Sequence, residues 1–227
     1  MAYAIEMRMK NFTSTAVKLT SIDFSPFEKK VDTIIKLGFS QEALPKLKSY
    51  IELLWRSNEE LNLFSRKMSF AELVDNHLID CLLPLKYFPF EANTIADFGS
   101  GGGLPGVLYA LNFSTKKFLL FEKSPKKQAF LNRCKLIANN IEIHSDIPTN
   151  LPNVDLIMSR AFKPIDVTLE MSRGFYQSGG HYFLLKGRKE KIDLEVLDSQ
   201  KKFSDLNVNL LPLTSPVMDV ERNLVVI

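Results

Sequence analysis

Residues 95–106 read IADFGSGGGLPG. Gly99, Gly101, Gly102 and Gly103 fall within five positions, and Gly106 closes the run. A glycine gives up more backbone freedom on folding than any other residue. So dense a cluster is therefore destabilising unless the chain must turn left-handed or let another atom come close. The preceding TIADF has the apolar character of a short strand, and Pro105 suits the first turn of a helix reaching about Asn112. Strand, glycine loop and helix form the opening unit of a parallel α/β sheet, where ligands sit beyond the carboxyl ends of the strands. One or two glycines suffice for a bare turn. This many point to a ligand lying on the main chain.

The rest of the chain continues the alternation. KFLLFE predicts a second strand, and Ser124-Pro125 supplies the cap and first residue of a helix carrying Phe130, Leu131, Cys134 and Ala138 on one side. IEIH and VDLIMS predict the third and fourth strands, PIDVTLEMS a helix, HYFLLK the fifth strand and KIDLEVLDSQ another helix. LNVNLLPL and RNLVVI close the chain as strands near enough to pair antiparallel. The expected fold class is α/β: a Rossmann-like, mostly parallel seven-stranded sheet covered on both faces, with an antiparallel final hairpin.

Ahead of the sheet the pattern is helical. Leu44, Leu47, Ile51 and Leu54 recur at helical spacing, and Ser69 with Glu72 reads as a capping box. The helix it opens is expected to bury Leu73, Val74, Leu78 and Leu82 and to end at Pro84. Residues 1 to about 38 have no clean period; some helix and a loose N-terminus are expected there. The expected division is an extension and helical lobe over 1–90 and the α/β domain over 91–227. A length of 227 residues accommodates both.

Several function classes are disfavoured. No apolar run approaches the ~18 residues of a membrane span, and the N-terminal twenty residues lack the apolar core of a signal peptide. Cys81 and Cys134 form no C-x-x-C pair, and histidine occurs only at 77, 144 and 181. Neither a disulfide framework nor a bound metal is expected, and the cytoplasm is the expected compartment. Net charge is +3, too small by itself to argue for nucleic acid, but charge is locally concentrated. Lys116, Lys117, Lys123, Lys126, Lys127, Arg133 and Lys135 lie close together, as do Lys186, Arg188, Lys189 and Lys191. The second group follows the fifth strand at the ligand rim and is favoured as a phosphate-binding patch. The first is either a second patch or the solvated face of a helix.

Two ligands compete for the loop. Gly101, Gly103 and Gly106 match the dinucleotide fingerprint G-x-G-x-x-G. Asp97, Gly99, Gly101 and Gly103 match acidic-x-Gly-x-Gly-x-Gly, the first motif of S-adenosylmethionine methyltransferases. Asp97 would then assist the ligand's ammonium through water, or shape the loop; an Asp at a strand end also often caps a turn. Glu122, ending the second strand, can accept hydrogen bonds from ribose hydroxyls, a device common to both ligand types.

Six segments together narrow the choice. NLFS at 62–65, HLIDC at 77–81, DFGSGGGLPG at 97–106, SRAF at 159–162, LKG at 185–187 and ERNLVVI at 221–227 occur in that order. Over residues 40 to 227 they resemble the RsmG (GidB) family, which methylates guanine N7 in small-subunit (16S) ribosomal RNA. The resemblance implies a class I methyltransferase fold with S-adenosylmethionine as cofactor. Gly99, Gly101 and Leu104 would line its site, with Asp97, Gly103 and Glu122 beside them. It implies that Arg160 serves cofactor and substrate, and that Arg222 lies near the guanine or the RNA backbone. Asp146 and Ile147, after the third strand, fall where the family places residues against the adenine. Lys186, Arg188 and Lys189, with Arg222, are the expected RNA contacts. The expected partner is 16S rRNA or the small ribosomal subunit, met by a single chain without membrane or metal. The alternatives are a methyltransferase for another substrate, such as a small molecule or protein, and an NAD(P)-binding oxidoreductase.

The chemistry agrees with what the chain lacks. Guanine N7 carries an exposed lone pair, and its methylation removes no proton from N7. Alignment is therefore the main requirement, and the sequence offers no Ser/His/Asp set and no obvious carboxylate pair. SRAF replaces the Asn/Asp-Pro-Pro-Phe/Tyr segment of exocyclic-amine methyltransferases. Neither cysteine is expected near the rim, as cytosine C5 chemistry would need. Phe162 is read either as a base-stacking residue or as core, and His77 as a packing residue of the helical lobe.

Overall fold

The computed structural model describes residues 22–227. The expectation for the N-terminal extension lies outside the described residues as far as residue 21. From there two single-turn helices, Ser25–Glu28 and Val31–Lys36, supply the expected helix.

Helix α1, Leu44–Leu61, follows the predicted period and buries Leu47, Tyr50, Ile51 and Leu54. It ends on Asn62 in the left-handed conformation, which asparagine tolerates better than most residues. Ser69 and Glu72 form the predicted capping box, each side chain bonding the other's backbone N–H. The helix they open, α2, spans 70–82 but is not uniform. Phe70–Leu73 and Asp80–Leu82 are α-helical, and the turns between them, Val74–Ile79, widen to a π-helix. Such widening is rare and often accompanies a functional site.

Seven strands follow: β1 Thr94–Phe98, β2 Lys117–Phe121, β3 Ile141–His144, β4 Leu156–Arg160, β5 His181–Lys186, β6 Asn209–Leu213 and β7 Arg222–Val226. They form one sheet in the order β3-β2-β1-β4-β5-β7-β6. The first five pair in parallel, and β7 enters antiparallel between β5 and β6. Order reverses beside β1, so the switch point and the glycine loop coincide. The connecting helices are α3 Gly106–Asn112, α4 Pro125–Cys134, α5 Ile165–Met171, α6 Arg173–Gln177 and α7 Lys189–Gln200. The break between α5 and α6 was not expected: PIDVTLEMS predicts one helix, and a second short one follows it.

Alternation along the strands sends side chains to two cores. Ile95, Phe118, Leu120, Met158, Phe183 and Leu224 join the helices of residues 22–88 in one continuous cluster. Ala96, Phe98, Ile157, Tyr182, Leu184 and Val225 face a second cluster under α5, α6 and α7. The helical lobe thus closes one face of the sheet together with α3 and α4, whose Val107, Leu108, Phe130 and Leu131 belong to the same cluster.

Candidate functional site

Three of the five loop glycines are required by the protein itself, and a fourth, Gly102, is tightly packed. A Cβ at Gly99 would clash with the Phe162 ring, and one at Gly106 with the Asp97 carboxylate. At Gly102 it would meet Leu54 at 3.0 Å, and at Gly103 it would overlap Val107 and approach the Tyr50 hydroxyl at 3.1 Å. Packing therefore accounts for more glycine than sequence reasoning allowed, and the count alone was weak grounds for a ligand. Gly101 is different. Its φ is +56°, and within 4 Å a Cβ would meet only the Gly99 carbonyl oxygen, at 3.8 Å. Here the backbone turns left-handed and leaves open space.

Glu122 stands beside that opening. Its Oε2 accepts from Gly101 N–H at 2.9 Å and its Oε1 from Ser124 N–H at 2.8 Å. Each carboxylate oxygen has a second acceptor position, so Glu122 both fixes the loop and retains capacity for a pair of hydroxyls. A bare backbone next to a strand-end carboxylate fits a nucleoside ligand. Leu104 is half-buried at the same loop, and Asp146 and Ile147 follow β3, whose strand runs beside β2. Asp146 is exposed, with Oδ2 accepting from the Ser145 hydroxyl at 2.8 Å.

Asp97 lies beneath the loop, 1% exposed, against Gly106. Neither carboxylate oxygen has a hydrogen bond of good geometry. Burial pushes its pKa up to about 7, against the weaker opposing influence of Ser100 and the Gly106 N–H. That placement supports the loop-shaping role rather than direct ligand contact.

On the other side of Phe162 opens a cleft of about 550 Å³, at the carboxyl ends of β4 and β5. Arg160, Lys186, Arg188, Lys191 and Arg222 all line it. Phe162 is half-buried and packs edge-on to Phe98 at 5.9 Å. It packs on the edge of the second core and there separates the loop from the cleft. Ala161, just before it, has φ +51°, a conformation an alanine adopts only under constraint. The left-handed turn sends Arg160 toward the helical lobe and Phe162 toward Gly99.

Both arginines converge on one acid that sequence reasoning left without a role. Asp80 is 6% exposed. Its Oδ2 accepts from Arg160 Nε at 3.1 Å and lies 2.9 Å from Nη2, while its Oδ1 accepts from Arg222 Nε at 2.6 Å. Arg160 also donates from Nη2 to the Asn76 carbonyl and from Nη1 to His77 Nδ1. His77 is thus neutral: burial, and next the Arg160 charge, lower its pKa to about 4. A signal for Asp80 was present. An acid inside the apolar run LIDCLL needs a cationic partner if the run is buried.

The basic groups need sorting. Lys186 is not a free phosphate ligand: its ammonium bonds Glu195 at 2.7 Å and the Lys163 carbonyl at 2.8 Å in a mostly buried pair. Lys189 pairs with Asp193 on exposed α7, whereas Arg188 is exposed at the cleft. In the other cluster, Lys116 is buried and holds the Phe90 and Ala92 carbonyls, so it is structural. Cys81 adjoins Asp80 and is nearer the site than expected, but burial raises its thiol to about 12 and leaves it a poor nucleophile. Among the described residues no group of three His, Cys, Asp or Glu could hold a metal ion, and no helix is long and apolar enough to cross a membrane.

The model of the GidB family, described as rRNA small subunit methyltransferase G, matches residues 43–225. Ribosomal RNA small subunit methyltransferase G 1 of Bdellovibrio bacteriovorus is 60% identical over 201 residues, covering 88% of this chain and 98% of its own. Ribosomal RNA small subunit methyltransferase G of Brachyspira hyodysenteriae is 32% identical, covering 87% and 95% respectively. Among solved structures, a putative O-methyltransferase from Klebsiella pneumoniae superposes with a TM-score of 0.55 at 13% identity, covering 86% of this chain and 93% of its own. At that identity the likeness shows the fold, that of the class I methyltransferases.

Proposed function

Because the chain belongs to the GidB family of small-subunit rRNA methyltransferases, we propose that it transfers the methyl group of S-adenosylmethionine to N7 of one guanine in 16S rRNA. The observation that carries this reading is the placement of Phe162. It lies between an open glycine backbone, suited to a nucleoside, and an arginine-lined cleft, suited to a nucleic-acid base. Gly99, Gly101, Leu104 and Glu122 would hold the cofactor, with Asp146 and Ile147 on its adenine side. Asp97 would support the loop from below, and Gly103 would contribute by its tight packing. When bound, S-adenosylmethionine supplies a methyl group on a sulfonium, already activated for displacement.

The chain's own residues then have a limited task. No proton need leave N7, so no general base is required. Phe162 borders the cleft with an apolar ring that a base can stack on. Arginine donors at the cleft suit guanine O6 as a recognition contact, leaving the N7 lone pair free to attack the methyl group. Arg188 and Lys189, on the rim, meet phosphate, while Lys186 holds the rim's shape through Glu195. The reading includes a single chain acting in the cytoplasm without a bound metal, since no water has to be activated.

The test incubates the protein with labelled S-adenosylmethionine and unmodified small subunits or their RNA. Mild reduction followed by aniline cleaves RNA at N7-methylguanine and locates the product. The expected result is one cleavage site, with activity retained after transition metals are stripped. Gly101→Val should abolish S-adenosylmethionine binding in calorimetry, because it fills the open backbone and strains a left-handed position; circular dichroism checks that the chain stays folded. Label appearing on adenine, a small molecule or a protein, with no N7-methylguanine, would overturn the proposal. Tight NADH binding by the parent would favour an oxidoreductase instead.

A further inference from the structure

Asp80 brings the two arginines together but leaves them unequally committed. All three guanidinium nitrogens of Arg160 have partners: Nε on Asp80, Nη1 on His77 and Nη2 on the Asn76 carbonyl beside Asp80. Arg222 uses Nε on Asp80 and Nη1 on the Glu221 carbonyl, and its Nη2 has no partner among the described residues. Arg160 is 18% exposed and Arg222 31%. A guanidinium has five N–H donors in a rigid plane, so fixing Nε on a buried carboxylate also fixes where Nη2 points.

We propose that Asp80 is a positioning residue that gives the two arginines different duties. Arg160 locks β4 to the helical lobe, and Arg222 is held with Nη2 presented to the RNA substrate. The π-helical turns serve this arrangement. They place the Asn76 carbonyl, His77 Nδ1 and the Asp80 carboxylate around one guanidinium. Neutral His77 accepts from Arg160 without repelling it, so Arg160 is satisfied without withdrawing Asp80 Oδ1 from Arg222. The inference rests on the rRNA methyltransferase reading, but its core is a contrast between variants.

Three variants test it: Asp80→Asn, Arg160→Lys and Arg222→Lys, with the double variant Asp80→Asn/Arg222→Lys. Each is measured for melting temperature, S-adenosylmethionine affinity, and kcat and KM on small-subunit RNA. Arg222→Lys should lower kcat/KM for RNA at least tenfold with little change in melting temperature or cofactor affinity. Arg160→Lys should show the reverse emphasis, a larger fall in melting temperature and a smaller loss of turnover. The Asp80→Asn and Arg222→Lys losses in kcat/KM should not multiply, because Asp80 acts through Arg222. The proposal is overturned if Arg160→Lys loses as much turnover as Arg222→Lys at an unchanged melting temperature. It is also overturned if the two losses multiply, or if Asp80→Asn keeps parental turnover. Should Asp80→Asn fail to fold, the Arg160/Arg222 contrast still decides. A parent that methylates no small-subunit RNA refutes the functional reading itself, whereas an active parent without this contrast refutes only the division of duties.

Discussion

Asp97 and His77 show how burial sets charge at single residues, and they work in opposite directions. Burial raises the Asp97 pKa from 3.8 to about 7 and, with Arg160, lowers that of His77 from 6.5 to about 4. For Asp97 the folded state binds the proton more tightly than the unfolded chain. Its contribution is full below about pH 4 and is lost as pH rises through 7. His77 resists protonation in the folded state, so its contribution is full above pH 6.5 and is lost as pH falls toward 4. Between these limits the two slopes oppose each other. Relative to the parent, Asp97→Asn should therefore gain stability as pH rises from 4 to 8, on the order of 4 kcal/mol for a shift of this size. Urea melts across that range check it; parallel pH profiles for the two proteins would refute it. The sequence made Asp97 legible as a loop residue because it stands two positions before Gly99. The Asp80 pair of arginines was not legible, since its members are 80 and 142 residues apart and no local period records such distances.

Elements defined by period or by caps were read correctly because the relevant forces are local. The capping box at Ser69, the stripe on α1 and the apolar strands all depend on neighbours a few residues away. The π-helical stretch of α2 escaped because the same leucine spacing serves an ordinary helix; tertiary hydrogen bonds from Arg160 accompany the wider turn. The role of α1 was also hidden. Its Tyr50 hydroxyl donates to the Gly102 carbonyl at 2.6 Å, and Leu54 packs on Gly102. A helix outside the sheet thus braces the glycine loop from behind. Tyr50→Phe removes the hydroxyl that donates to a half-buried carbonyl, a loss of about 1 kcal/mol. The variant should fold, melt earlier and bind S-adenosylmethionine several-fold more weakly. Calorimetry giving the parental affinity would show that the loop needs no brace.

At the scale of the whole molecule, the change of pattern near residue 90 separates two kinds of secondary structure but not two cores. Ile95, Leu120, Met158, Phe183 and Leu224 are completely or almost completely buried in the cluster that contains Ile34, Leu47 and Leu78. A chain shortened to 91–227 would bare to water the part of that sheet face and of α3 and α4 that the early helices cover, a patch of a kind monomers rarely expose. It should aggregate or lose cooperative unfolding; a monomeric product with a sharp melt would contradict this. The sequence could reveal the strands but not which face the early helices cover, because either face of an all-apolar strand is fit for burial. The Asp80 fork also governs how this chain can change over generations. Losing Arg160 or Arg222 alone still leaves Asp80 one cation but strips one carboxylate oxygen of its donor, a loss of about 1–3 kcal/mol. Losing Asp80 alone leaves two cations side by side. Positions 80, 160 and 222, from three different elements, therefore constrain one another: a change at any one of them costs stability or turnover while the other two stay as they are.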